Sequence, residues 1–142
     1  EVVTDNDAIF TVKRYEFTVA GSSDTKIKYD TIDKKREILI TLPSLFKDDS
    51  YVEVISDNII NQMKEQMASD ENKVYWLDGY VEEFQQPFER ISKDQGFYIN
   101  ADGKLVISFD KYEVAPGYMG VVEFVIPTEA ISDILVGNEY IK

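Results

Sequence analysis

The side chains available for acid–base chemistry are carboxylates, tyrosines and lysines, because the 142-residue sequence includes no His and no Cys. This composition excludes Ser-His-Asp and Cys-His catalysis, His-ligated zinc and an imidazole base of near-neutral pKa. Two carboxylates at a set separation suffice for a glycosidase, but a pair carries no information among 27 Asp and Glu residues. The pairs Glu82-Glu83 and Asp48-Asp49 are typical of a solvated surface, and no known catalytic motif is present. We therefore expect a protein that is not an enzyme.

The segment Asp5-Asn6-Asp7 is the best candidate for a metal site with oxygen ligands. A calcium loop requires more ligands at fixed spacing and a central Gly, and this segment has neither. The seven Gly residues do not cluster into a phosphate-binding loop. A charged turn is the better interpretation, and we expect neither a metal nor a cofactor.

The segment from Tyr112 to Gly120 has the composition of a binding loop. It reads Tyr-Glu-Val-Ala-Pro-Gly-Tyr-Met-Gly and joins two predicted strands. Because Pro cannot donate to a β-ladder and two nearby Gly indicate unusual backbone angles, we predict an ordered loop. Exposed Tyr and Met on such a loop are typical of protein interfaces, although the tyrosines fit a small core over the sheet edge equally well. The residues expected to bind a partner are Tyr112, Val114, Pro116, Gly117, Tyr118 and Met119.

The elements that would position this loop are mostly strands with alternating apolar residues. In the first strand the apolar residues change face near Arg14, which predicts a bulge or twist. The turn from Asn100 to Gly103 predicts a short hairpin loop with Gly103 in the left-handed conformation. The predicted strands are Ile9 to Val19, Lys26 to Ile32, Glu37 to Leu42, Phe97 to Asn100, Lys104 to Phe109 and Val121 to Ile126, with Val74 to Leu77 either a strand or an extended segment.

One main helix is predicted between the two groups of strands. Ser50 followed by Glu53 is a capping-box sequence, and apolar residues then recur at helical spacing. A second, short helix capped by Thr128 is predicted to run to Leu135. The expected fold class is α+β, in which one main amphipathic helix packs on a mostly antiparallel sheet and a short helix follows at the C-terminus. We expect a single domain over residues 1–142.

The net charge of −12 limits the classes of partner. Nucleic acid and anionic membrane surfaces would be repelled, whereas a basic protein would be attracted. An acidic surface that serves solubility alone is the alternative. No apolar run approaches the roughly 20 residues of a membrane-spanning helix. Because the chain begins at Glu1 rather than Met, we expect a processed form or a fragment of a longer, membrane-anchored protein.

Several segments together resemble the C-terminal domain of RsiV-type anti-sigma factors. A similar domain precedes the catalytic domain in some bacterial peptidoglycan deacetylases. The pattern is an aromatic-rich strand, a turn, a strand ending in Phe-x-x-Tyr-x-x-x-Pro, a Gly, and a strand ending in Ile-Pro. It lies in Phe97 to Asn100, Gly103 to Phe109, Tyr112 to Gly120 and Glu123 to Pro127, with further similarity at Tyr29 to Asp33, Ile40 to Lys47 and Pro87 to Ile91.

The resemblance implies a ligand-sensing domain on the extracytoplasmic side of a Gram-positive cell membrane, in a single-pass protein. RsiV-type domains bind lysozyme, and binding exposes the anti-sigma factor to signal peptidase and a site-2 protease, which releases the sigma factor. Common lysozymes are basic, in keeping with an acidic partner. The loop from Val114 to Gly120 would supply the anchors, and the turn from Ala20 to Asp24, with Ser22 and Ser23, would supply a second contact.

The second hypothesis is a secreted, non-catalytic accessory module of a cell-wall deacetylase or hydrolase. Carbohydrate sites favour exposed aromatic side chains, and Tyr75, Trp76 and Tyr80 are candidates for such a platform. The same three side chains are also expected in a core, because Trp is highly buried on average.

Overall fold

The first of two sheets holds the N-terminal part of the chain. The computed structural model describes residues 1–20, 22–79 and 86–142, with the backbone alone for residues 18–20 and 22–25. Four strands lie in the order β1-β2-β3-β4, and each neighbouring pair is antiparallel. Their bounds are β1 (Val2–Asp5), β2 (Ile9–Ala20), β3 (Ser22–Asp33) and β4 (Ile38–Ile40).

The hairpin of β2 and β3 extends beyond the rest of the sheet. The two strands pair without interruption, so of the bulge or twist predicted near Arg14 the bulge is absent. The irregularity in this sheet lies instead between Val2 and Thr4 of β1, where the register with β2 shifts. The apolar pattern changes along β2 because Thr11 is buried at the base, whereas Tyr15 and Phe17 on the same face are 57% and 64% exposed. We call the projecting half, residues 14–20 and 22–28, the β2–β3 arm.

The second sheet has three antiparallel strands in the order β5-β6-β7. They are β5 (Phe97–Ile99), β6 (Leu105–Phe109) and β7 (Val122–Ile126). The turn between β5 and β6 is as predicted, with Gly103 at φ +76° and its N–H bonded to the Asn100 carbonyl at 3.0 Å. All five residues of β6 are buried, as expected of a central strand that is covered on both faces.

The main helix α1 (Ser50–Ser69) packs on the second sheet and on the short helix α2 (Thr128–Ile131). Its inward side chains recur every fourth residue and are at most 1% exposed: Tyr51, Ile55, Ile59 and Met63. Gln62 Nε2 donates to the Val125 carbonyl of β7 at 3.0 Å, which ties the helix to the sheet edge. The predicted α+β fold, with one main helix on antiparallel strands and a short C-terminal helix, is confirmed.

The predicted helix caps are wrong. The N-cap of α1 is Asp49, which makes no side-chain capping bond, and Ser50 already lies inside the helix. The Ser50 N–H is instead satisfied by Asp48 Oδ1 at 2.9 Å, so a different side chain supplies the acceptor.

At the second helix the N-cap is Pro127, again without a side-chain bond. The Thr128 hydroxyl donates to the Lys142 carbonyl at 3.1 Å, so it holds the end of the chain rather than capping the helix. The α-helical span of α2 also ends at Ile131, four residues before the predicted end.

The two sheets meet through β1 and the base of β3. Thr4 Oγ1 donates to the Ile99 carbonyl of β5 at 2.6 Å, and the Tyr29 and Tyr98 rings lie 4.9 Å apart. This contact covers the outer face of β5 and β6, which explains the complete burial of β6. Within the described ranges, no helix is both long enough and apolar enough to cross a membrane.

Candidate functional site

The loop between β6 and β7 begins with a tight turn from Asp110 to Glu113. The Glu113 N–H bonds to the Asp110 carbonyl at 3.0 Å, and Glu113 Oε1 accepts from the Asp110 N–H at 3.0 Å. These two hydrogen bonds close the turn and hold Tyr112 at φ +69°. This left-handed conformation is uncommon outside Gly, Asn and Asp. Such strain persists only where the surroundings fix it, and it is enriched at functional sites.

The middle of the loop is anchored in the core. Val114 and Ala115 are 3% and 2% exposed, and the Val114 carbonyl accepts from the Trp76 N–H at 2.8 Å. The Val114 side chain therefore faces inward, and the contact predicted between Val114 and a partner stays a prediction. The same bond ties residues 74–77, which form no strand, to the loop.

The tip of the loop is a 3-10 turn, Gly117–Met119, that follows Pro116. Each of the first two carbonyls accepts from the N–H group three residues on: the Met119 N–H bonds to Pro116 and the Gly120 N–H to Gly117, both at 3.0 Å. Gly120 ends the turn at φ +66° and ψ −148°, a region that is essentially restricted to Gly. The ordered loop predicted from Pro and Gly is present.

Two tyrosines form the exposed surface of this loop. Tyr112 and Tyr118 are 62% and 69% exposed, so both project rather than fold into a small core. The Tyr118 hydroxyl donates to the Asn72 carbonyl at 3.2 Å, which holds the ring in place. Met119 differs from the prediction, because it is half-buried and packs against the core.

Tyr112 lies directly against Gly117. A Cβ added to Gly117 would stand 2.5 Å from the Tyr112 ring, closer than real carbon contacts allow. Lys111 Nζ also lies over the same ring, 5.2 Å from its centroid. Gly117 therefore leaves the space that the exposed Tyr112 ring occupies. We call Tyr112 and residues 116–119 the loop tip.

Ser22 and Ser23 lie at the end of the β2–β3 arm. They open β3 and pair with Ala20 and Val19, while their side chains fall outside the described part of the structure. The exposed rings of Tyr15 and Phe17 lie on this arm, and the sequence analysis missed them. The alternation of apolar residues in β2 is typical of a half-buried strand. The exposure of the two rings follows from the length by which the hairpin extends beyond β1 and β4.

A cleft of about 350 Å³ separates the base of the arm from the loop. Its lining includes Ile27 and Tyr29 from β3, with Gln95, Asp110 and Glu113 on the other side. Burial raises the pKa of Tyr29, so its hydroxyl stays protonated at neutral pH. Carboxylates are the only ionised side chains that the loop itself contributes to this cleft, which gives the surface beside the loop an acidic character.

The other predicted sites are occupied by structural contacts. Asn6 Oδ1 accepts from the N–H groups of Ala8 and Ile9, both at 2.9 Å, as in a charged turn. Asp5 pairs with Lys34 at 2.5 Å. In the part of the chain that the structure describes, no group of three or more His, Cys, Asp or Glu residues is placed to hold a metal.

The aromatic platform is not formed as predicted. Tyr75 is 3% exposed, its hydroxyl bonds to Gln66 Oε1 at 2.5 Å, and burial raises its pKa. Trp76 is half-buried, and Tyr80 lies outside the described residues. Tyr75 is thus a core residue, which removes one of the three rings from a carbohydrate surface.

The architecture and the loop define an α+β domain that presents an ordered surface loop. The chain belongs to a family described as "Protein of unknown function (DUF3298)", whose family model matches residues 43–129. That match covers α1, the whole second sheet and the β6–β7 loop, and it begins after the first sheet.

The chain is 56% identical over 142 residues to the Anti-sigma-V factor RsiV of Bacillus subtilis (strain 168), which confirms the resemblance inferred from the sequence. The alignment covers 100% of this chain and 49% of that protein, so the chain spans about half the length of this relative. The similarity is to a regulatory protein and points to a regulatory, non-catalytic domain.

Two solved structures share the fold. A DUF3298 family protein from Pseudomonas aeruginosa PAO1 superposes with a TM-score of 0.75 at 16% identity, over 100% of this chain and 62% of that chain. A member of the same family from Bacteroides fragilis NCTC 9343 gives a TM-score of 0.62 at 21% identity, over 92% of this chain and 49% of that chain. At these identities the comparison establishes the α+β fold alone.

Proposed function

We propose that this chain is the ligand-sensing extracytoplasmic domain of an anti-sigma factor, and that its ligand is lysozyme. The observation that carries the proposal is the loop tip, where two exposed tyrosines are held in place. Tyr112 is held by a strained backbone and its contact with Gly117, and Tyr118 by a hydrogen bond from its hydroxyl. Aromatic side chains fixed on a rigid support are the usual anchors of protein interfaces, because little conformational entropy is lost when they bind.

The proposal takes further support from the 56% identity to an anti-sigma factor and from the charge of the chain. The net charge of −12 favours encounter with a basic protein and disfavours nucleic acid. In the full-length protein, lysozyme bound at the loop tip and at Ser22 and Ser23 of the arm would expose a cleavage site. Proteolysis by signal peptidase and a site-2 protease would then release the sigma factor inside the cell.

The domain in this proposal is a single unit of a longer, membrane-anchored protein. Such a sensor has to face the outside of the membrane, because lysozyme acts there. The accessory-module hypothesis takes less support from the geometry, since Tyr75 of its aromatic platform is in the core.

The test is calorimetric titration of the domain with hen egg-white lysozyme at low salt, comparing wild type with Tyr118→Ala. We expect tight binding by wild type and a loss of about 30-fold or more in Tyr118→Ala, since a truncated anchor typically costs about 2 kcal/mol or more. Binding should weaken as salt is added, because the charges across the interface are screened.

Val136→Ala is the matched control, because Val136 is also exposed, at 62%, but lies outside the loop. Its affinity should stay within about 2-fold of wild type. If wild type gives no heat at tens of micromolar concentrations in low salt, lysozyme is not the ligand.

A further inference from the structure

Asp110 joins the β6–β7 loop to the β2–β3 arm. Its Oδ1 accepts from the Ile27 N–H at 3.1 Å. The Ile27 N–H points away from β2, toward the side of β3 where β4 pairs only with residues 31–33. Asp110 therefore supplies the acceptor that a neighbouring strand would otherwise supply, at the base of the arm.

A buried side chain holds Asp110 in this position through Glu113. Glu113 Oε1 accepts from the Asp110 N–H, and its Oε2 accepts from Gln95 Nε2 at 2.9 Å. Gln95 is 8% exposed, and its Nε2 also donates to the Ser108 carbonyl of β6 at 3.0 Å. We call Gln95, Glu113 and Asp110 the relay, since they connect the second sheet to the arm through hydrogen bonds.

We infer that Asp110 and Glu113 are positioning residues, which fix the arm and the loop tip as one preformed surface. This inference rests on the proposed function, in which both elements contact the same ligand. Two acidic residues beside a loop that binds a basic protein would ordinarily be taken as electrostatic attractants. Here three of their four carboxylate oxygens accept hydrogen bonds from within the domain.

Preorganisation explains why the relay matters for binding. An arm that projects from the sheet loses conformational freedom when a ligand fixes it, and that loss weakens binding. Because a hydrogen bond already restrains the base of the arm in the free domain, part of this conformational entropy is lost on folding and not on binding. The relay therefore raises affinity by ordering the arm before the ligand binds, and its carboxylates need not contact the ligand.

Asp110→Asn and Asp110→Ala separate positioning from charge. Asparagine keeps the Oδ1 acceptor for the Ile27 N–H and removes the charge, whereas alanine removes both. The first measurement is hydrogen exchange of the Ile27 amide in the free domain, followed by NMR. We expect exchange about 3- to 10-fold faster in Asp110→Ala, as for the loss of one hydrogen bond, and within about 2-fold of wild type in Asp110→Asn.

The second measurement is the affinity of the same variants for hen egg-white lysozyme at low and high salt. We expect Asp110→Ala to bind about 3- to 10-fold more weakly at both salt concentrations and Asp110→Asn to match wild type within about 2-fold. Equal losses in both variants that vanish at high salt would overturn the inference, since the carboxylate would then act by charge.

The two proposals fail in different ways. Unchanged exchange of the Ile27 amide in Asp110→Ala overturns the positioning role whether or not lysozyme binds. Absence of lysozyme binding by wild type overturns the proposed ligand, while the exchange measurement alone still decides whether Asp110 holds the arm. If Asp110→Ala is unfolded by circular dichroism, Glu113→Ala tests the same support of the arm, because it frees the Asp110 N–H and removes the bond from Gln95 that positions it.

Discussion

Tyr112 and Tyr118 are presented by different means. Tyr118 is held by a hydrogen bond from its hydroxyl, whereas Tyr112 is held by its own left-handed backbone and by contact with Gly117. A Gly with no left-handed requirement can still determine where a neighbouring side chain lies, because it has no Cβ to displace that side chain. At the scale of single residues, the Gly117 contact is therefore the most specific feature of the loop tip.

Gly117→Ala should move the Tyr112 ring without unfolding the domain. The new Cβ would stand 2.5 Å from the ring, but the ring is exposed and is free to move away. We expect a change of less than about 1 kcal/mol in the free energy of unfolding and an affinity for lysozyme about 5-fold or more below wild type. Urea unfolding and calorimetry measure the two quantities.

Gly137→Ala is the matched control, because a Cβ at Gly137 meets nothing within 4 Å. It should leave lysozyme affinity unchanged and, by restricting the unfolded chain, stabilise the domain by as much as about 0.4–1 kcal/mol. Equal affinities for Gly117→Ala and wild type would show that the position of Tyr112 does not matter for binding.

At the scale of elements, α1 carries a buried polar contact as well as its apolar stripe. Ser56 is 0% exposed, and its hydroxyl accepts from the Ile91 N–H at 2.8 Å. This bond fixes the segment after residue 86 against the helix. That segment leads into Gln95, so the helix supports the relay as well as the core.

Ser56→Ala should destabilise the domain by about 1–3 kcal/mol, because the buried Ile91 N–H would lose its acceptor. The matched control is Ser50→Ala, since Ser50 is exposed and makes no side-chain cap to α1. We expect the control to lie within about 0.5 kcal/mol of wild type. Urea unfolding that gave the two variants the same stability would show that a water molecule or a shift of the segment replaces the bond.

A second element-level contact ties the C-terminal segment to β3. Asp33 is 2% exposed and accepts hydrogen bonds from the Tyr140 hydroxyl and from Arg36, whose guanidinium also pairs with Glu139 at 2.9 Å. The Tyr140 hydroxyl, then Arg36, hold the pKa of Asp33 well below its usual range. Burial, with the Asp33 carboxylate, raises the pKa of Tyr140 to about 12.

The lowered pKa of Asp33 predicts a loss of stability in acid. A carboxyl group with a pKa below its unfolded value of about 3.9 stabilises the fold fully above that pH, and the contribution is lost as the pH falls toward the folded pKa. In urea unfolding, the difference in free energy between wild type and Asp33→Asn should be constant above about pH 5 and narrow below about pH 4. Tyr140→Phe should weaken this acid dependence, because it removes the hydroxyl that bonds to Asp33. If the difference between wild type and Asp33→Asn stayed constant down to pH 2, Asp33 would not be the source of the acid dependence.

The elements were more predictable than the contacts between them. Alternation and helical spacing located α1 and six of the seven strands, and they missed β1, whose four residues lie too close to the chain start for a pattern to develop. The predicted N-caps are wrong because Ser50 and Thr128 have suitable side chains but lie one residue inside their helices. A local pattern does not distinguish N-cap from N1.

The candidate site was predictable as a loop but not as a surface. Pro116 and Gly120 determine the turn locally, so their effect is visible in the sequence. Burial of Val114 depends on Trp76, and the support of the arm depends on Gln95 and Asp110. Such contacts join residues far apart in the chain, and no spacing rule reports them.

At the scale of the whole molecule, the two elements proposed to contact the ligand come from different sheets. The arm belongs to β2 and β3 of the first sheet, and the loop tip connects β6 and β7 of the second. The family match begins at residue 43, so it includes the loop and excludes the arm.

Hydrogen–deuterium exchange of the domain, with and without saturating hen egg-white lysozyme, tests the central claim most directly. Lysozyme should slow exchange in peptides covering residues 110–120 and 22–28, because binding excludes water from the loop tip and the arm. Exchange in α1 should be unchanged, since its inward face is already buried. Slowed exchange confined to other parts of the chain, or none at all, would contradict the proposal that this loop is the ligand-sensing surface.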